Sequence, residues 1–136
     1  MTDIQIHEFD PVIYPFRLWV GKFLSEEYLC EKFYGLTEDM ERVDLKEMHK
    51  SDRFCTASTI IVADKNTGWG GAVVAIHKPS AMDIKTIAHE ASHVADFVCE
   101  YFGISMDSFD GGEAKAYLVG WVADCINQAK TGKFNN

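Results

Sequence analysis

No apolar run in this chain approaches the length of a membrane span, because His, Glu, Asp or Lys interrupts even the richest stretches. Basic residues are scarce: 13 Lys and Arg stand against 21 Asp and Glu, for a net charge of −8. Phosphate contacts need clustered Lys and Arg, so nucleic acid is disfavoured as a partner. The nearest basic group, Lys46, Lys50 and Arg53, is diluted by Glu47 and Asp52. The four cysteines, Cys30, Cys55, Cys99 and Cys125, form no CxxC pair. A chain that is 47% hydrophobic can bury a core without disulfide staples. All four are therefore expected as reduced core thiols, which points to the cytoplasm. Met1, Thr2, Asp3, Ile4 and Gln5 show neither a basic leader nor an apolar core, so no secretory signal is expected. Repeats, low-complexity segments and Pro/Ser-rich linkers are also missing, and 136 residues suit one domain. That domain is expected to span 1–136, with 130–136 as a frayed tail.

The patterning that is present predicts an α+β fold. From Ile4 to Phe23, aromatic and β-branched residues interrupted by Pro11 and Pro15 read as one broken edge strand. Ser25, followed by Glu26 and Glu27, opens a helix expected to reach Tyr34 and to be capped by Gly35. Thr37, Glu38 and Asp39 repeat the signal for a polar helix towards Met48. Thr56 to Ala63 and Gly71 to Lys78 read as an antiparallel hairpin around the turn-forming run from Asp64 to Gly70.

Ser80, Ala81, Met82 and Asp83 match a capping box ahead of a long helix ending near Phe102, with Gly103 beyond. Its apolar stripe is Ile84, Ile87, Ala91, Val94, Val98 and Tyr101. A last helix runs from Gly111 to Ala129, with Leu118, Val119, Val122, Ala123 and Ile126 as its apolar face. The architecture expected is thus a small antiparallel sheet, hairpin plus N-terminal edge strand, packed on these two helices.

The long helix carries His89-Glu90-Ala91-Ser92-His93, an H-E-x-x-H sequence. Residues four apart stand one turn above each other, so two imidazoles can converge on one ion while Glu90 lies about 100° round the helix. That places Glu90 as a base beside the metal, with His89 and His93 as ligands. A catalytic zinc usually takes three protein ligands. The continuation, Val94 to Cys99, lacks the third His of a metzincin. Two candidates remain. Glu113 lies 113 − 93 = 20 positions beyond His93 at the start of the next helix. It could instead cap that helix within Asp110-Gly111-Gly112-Glu113. Asp96 shares the histidine face and is better suited to orienting an imidazole than to ligation.

Glu113, Tyr117, Gly120 and Asp124 form a stripe opposite the apolar face of the last helix. Tyr117 could donate to an oxyanion or serve as a core aromatic. Asp110 and Asp124 are weaker polar options, and Gly120 could admit a close helix. His77 could approach the cleft but reads better as a half-buried strand residue; His7 and His49 have no patterned partner. Trp69 reads as packing over the hairpin.

With its H-E-x-x-H helix followed by a glutamate helix, the chain resembles the gluzincins, the thermolysin-like branch of the zincin metallopeptidases, from roughly Thr56 to Gln128. Residues 1–55 match nothing in that pattern. The resemblance implies Zn²⁺ held by His89, His93 and Glu113, and peptide hydrolysis through a metal-activated water with Glu90 as base. It also implies a peptide or protein substrate added as a strand to an edge beside the motif helix. Gly71, Ala72, Val73 and Val74 are the expected edge. Full gluzincins carry a further subdomain as the second cleft wall, so a partner protein could complete the site here. The alternative is a non-catalytic, metal-stabilised binding module.

Overall fold

The computed structural model describes residues 3–48, 55–105, 107, 109 and 112–135. The expectations for His49, Lys50, Asp52, Arg53, Asp110 and Gly111 lie outside them. The chain opens with β1 (Gln5–Phe9) and β2 (Arg17–Lys22), an antiparallel pair with Pro11 and Pro15 in the connection. The single broken strand expected here is therefore two. Strand β2 is also interior, because its other side runs parallel to a later strand. Leu18 and Val20 face one cluster and Trp19 the other, the period of a strand buried on both faces.

Helix α1 (Glu26–Lys32) starts where Ser25 accepts a hydrogen bond from the Tyr28 amide, 3.1 Å away. It stops earlier than its pattern suggested, because Phe33 turns extended and begins β3 (Phe33–Leu36). Gly35 is thus a strand residue paired with Val62, not a helix cap. The expected polar helix from Thr37 is instead a turn, closed by the Met40 amide on Thr37 O at 2.9 Å. It leads into β4 (Arg42–Asp44), and only the short α2 (Leu45–Met48) is helical.

Strands β5 (Ala57–Asp64) and β6 (Gly70–Ile76) form the antiparallel hairpin expected. Asp64 organises its loop: Oδ1 accepts from the amides of Asn66 (2.7 Å) and Thr67 (3.1 Å), and Oδ2 meets Lys32 Nζ at 3.2 Å. Burial opposes the charged carboxylate, but these donors outweigh it and hold its pKa below the ordinary value. A depressed folded-state pKa contributes stability that is complete above the unfolded value, about 3.9, and is lost as pH falls through the folded one. The urea midpoint of Asp64→Asn is therefore expected below wild type at neutral pH, with the gap closing below about pH 4. A gap independent of pH would contradict the ion-pair account.

The sheet has six strands among the described residues, ordered β1-β2-β6-β5-β3-β4. It is mixed, not purely antiparallel, because β2 and β6 run parallel.

Helix α3 (Ile84–Phe102) is capped by Asp83, whose carboxylate accepts from the Thr86 amide at 2.8 Å. Residues Pro79–Ala81 form a separate 3₁₀ turn, so the cap lies three residues later than Ser80. Gly103, at φ 68°, ends the helix in the left-handed region. The buried side of α3 is Ile87, Glu90, Ala91, Val94, Ala95, Val98 and Cys99; Ile84 is 85% exposed and Tyr101 is exposed too. Helix α4 (Gly112–Thr131) buries Leu118, Val122, Cys125, Ile126 and Ala129.

These helices close the principal core against β2 and β6, while a smaller core of Trp19, Leu29, Phe33, Leu45, Ile60, Val62 and Val73 fills the opposite face. Helix α3 contacts β5, and α4 contacts β1 and β2. Cys99 and Cys125 are core thiols, the latter pushed by burial up to about 12, whereas Cys30 and Cys55 are half-buried.

The C-terminal segment is tied down, not frayed. Phe134 stacks on His7 with ring centroids 4.1 Å apart. The Asn135 amide donates to Gln128 Oε1, and Asn135 Nδ2 to Asp124 Oδ2. No helix of the described residues is long and apolar enough to cross a membrane.

Candidate metal centre

The α3 periodicity divides the motif between two environments. Ala91 and Val94 enter the core, which turns His89 and His93 to solvent. Their Nε2 atoms lie 3.1 Å apart, with ring planes at 84°. Two nitrogens each 2.0–2.1 Å from one zinc ion would span about that distance at an angle of roughly 100°. That separation is compatible with two ligands of one ion, and equally with a hydrogen bond between the two rings.

Glu90 points inward beneath the pair and is 4% exposed. The Thr59 hydroxyl on β5 donates to its Oε2 over a long 3.5 Å. Burial raises the Glu90 pKa above the ordinary carboxylate value; His89, His93 and the Thr59 hydroxyl pull the other way. Glu90 and His93 both line a cleft of about 1160 Å³ between α3, β5 and the β3–β4 turn.

The third ligand expected is not delivered. The stripe Glu113, Tyr117, Gly120 and Asp124 is exposed along its whole length, and Tyr117 is 73% exposed. On a helix, a stripe opposite the buried face necessarily points away from the neighbour packed against that face. Helix α4 also lies over β1 and β2, on the side of α3 remote from the cleft. No group of three His, Cys, Asp or Glu among the described residues could hold a metal. Glu113 and Tyr117, expected as ligand and oxyanion donor, thus lie exposed on α4 and are not grouped with the histidine pair in this structure. The residues fit the ion only in part: two imidazoles stand at a compatible separation, and no third His, Cys, Asp or Glu among the described residues joins them.

Gly120 is also not a helix-approach site, since a Cβ there would meet nothing within 4 Å. Gly120→Ala is expected to raise stability by about 0.5–1 kcal/mol through helix propensity alone. A lower urea midpoint would show that the position is packed.

Asp96 is held by Lys115, with Oδ1 to Nζ at 2.8 Å, and orients neither imidazole. Asp124 bonds Gln128 and Asn135. His77 lies on the opposite face of the sheet, its Nε2 2.8 Å from Ser58 Oγ. Trp69 packs at the smaller core under the Arg17 guanidinium, 4.0 Å from its ring.

The expected substrate edge is corrected as well. Gly71, Ala72, Val73 and Val74 pair with β2 on one side and β5 on the other, so β6 has no free edge. Among the described residues, the open edge beside α3 belongs to β5, because β3 pairs only with Val62, Ala63 and Asp64. The pattern had signalled this. An unbroken apolar run such as Gly71–Ile76 marks an interior strand, whereas β5 mixes Ser58 and Thr59 with aliphatics.

Compared with family models, curated proteins and solved structures, the chain matches none.

Proposed function

We propose that this chain is a minimal zincin-like peptidase that binds zinc through His89 and His93 and hydrolyses extended peptides. The observation that carries the reading is the Nε2 pair at 3.1 Å with Glu90 buried beside it at the floor of a cleft. Zinc held there supplies Lewis acidity towards water and a peptide carbonyl. Glu90 accepts a proton on the carboxylate oxygen left free by Thr59 and returns it to the leaving amine. Substrate adds as a strand along Ala57–Ile61, where main-chain pairing gives affinity that depends little on sequence. Reduced thiols suit a cytoplasmic setting.

A non-catalytic metal-stabilised module is the second reading, favoured by the outward face of Glu113 and Tyr117. A buried carboxylate beside the ligand pair weighs against it, since a purely structural site has no use for a base. The distinguishing experiment is cleavage of a fluorogenic peptide pool. Activity should vanish with a zinc chelator and return on adding zinc. Activity that survives chelation would exclude the metal reading, and no cleavage by zinc-loaded protein would favour the module.

A further inference from the structure

The peptide-binding edge has a definite phase. The His77 amide bonds Thr56 O and the Asp64 amide bonds Trp69 O, each at 2.8 Å. Antiparallel ladders alternate, so even-numbered residues of β5 bond β6. The N–H and C=O groups of Ala57, Thr59 and Ile61 consequently point away from β6, along the edge that β3 leaves uncovered. These residues line the cleft, and a strand laid there would find its hydrogen-bonding partners already aligned.

The walls on either side carry charge of one sign. Asp96 and Glu100 stand on the helix side, and Glu38 and Asp39 on the turn side. Among the described residues, no Lys or Arg lines the cleft. Asp96 is already paired with Lys115, but Glu38, Asp39 and Glu100 form no ion pair among the described residues. Glu90 adds a carboxylate more than nine-tenths buried that also lines the cleft, with Oε1 lacking a hydrogen-bond partner among the described residues. Phe97 and Tyr101, stacked with centroids 5.8 Å apart, give the helix wall aromatic surface. Such rings attract cations over their faces.

We propose that the segment this cleft accepts is extended and basic, bearing Lys or Arg; the proposal rests on the peptidase reading for the location of the site. Main-chain pairing on β5 supplies affinity, and the acidic walls select the charge. An acidic segment would place like charges opposite Glu38 and Glu100 and be rejected.

The test uses the Glu90→Gln protein, so that cleavage does not interfere, and fluorescence anisotropy of two unstructured peptides. One carries Lys at alternate positions; the other carries Glu at the same positions. The Lys peptide should bind at least about tenfold more tightly at low salt, with the difference shrinking as salt is added. Adding Glu38→Gln with Glu100→Gln should weaken it about fivefold. Adding Glu27→Gln with Glu31→Gln on α1 should change little, which separates local charge from the overall negative charge of the chain. Equal binding of both peptides, or equal loss in both double variants, would overturn the proposal. A Lys peptide bound by this protein yet left intact by zinc-loaded wild type would sink the peptidase reading and leave the proposal standing. Cleavage without charge preference would do the reverse.

Discussion

Glu90→Gln is expected to reduce peptide hydrolysis by about two to four orders of magnitude, the usual contribution of a positioned acid–base group, while the protein stays folded. Gln keeps the volume of the side chain and can still accept the Thr59 hydroxyl, but it cannot take a proton. Glu90 is 4% exposed, and burial disfavours its charged form. A neutral amide in the same place should therefore leave thermal stability unchanged or raised. Zinc binding should persist, because the imidazoles are on the outer side of α3. The measurement is kcat/KM beside a thermal melt and a zinc titration. Wild-type activity in the variant would remove Glu90 from the chemistry, whereas a collapse in melting temperature would make it a structural residue.

Gly71→Ala should produce the largest loss of stability. A Cβ at this position would lie 1.8 Å from Arg17 O, a backbone atom of β2 that cannot swing aside as a side chain can. The Arg17–Gly71 pairing is part of the parallel contact that joins the N-terminal hairpin to the rest of the sheet. Opening it is expected to cost more than about 3 kcal/mol, a large share of the stability of an ordinary domain. Urea unfolding measures this directly. The result also decides between two roles for Gly71. A substrate-binding glycine would give a stable protein with weakened binding, and a shift below about 1 kcal/mol would support that role.

The elements that could be read locally were those whose signals are local. Helix α3 combines an i, i+3, i+4 apolar pattern with a terminal Gly103, and its extent matches closely. The β5–β6 hairpin was equally plain, with β-branched runs around a loop of breakers. What failed was decided by distant partners. Phe33 to Leu36 continues a helical pattern until β5 offers it a strand to pair with. Strand β2 carries turn-forming prolines before it, and only its parallel pairing with β6, far along the chain, makes it interior. Local periodicity does not encode such pairings.

The same division holds at the site. The convergence of His89 and His93 follows from one turn of helix, so the motif alone located it. The third ligand depended on which way α4 faces, and its apolar residues settle that. Leu118, Val122 and Ile126 enter the core, so Glu113 and Tyr117 must face out. The helical wheel of α4 contains this geometry, whereas the spacing from His93 does not. Thr59, Glu100, Phe97 and the open edge of β5 had no motif to mark them. They enter the site through the packing of α3 beside a strand that β3 covers only in part.

His89 and His93 are proposed to bind zinc without Glu113. Calorimetric titration of metal-free protein with zinc tests it most directly, on wild type and on the His89→Ala, His93→Ala and Glu113→Ala variants. One site per chain is predicted for wild type, abolished in both histidine variants and retained in Glu113→Ala. No binding by wild type, or loss of the site in Glu113→Ala, would contradict the account.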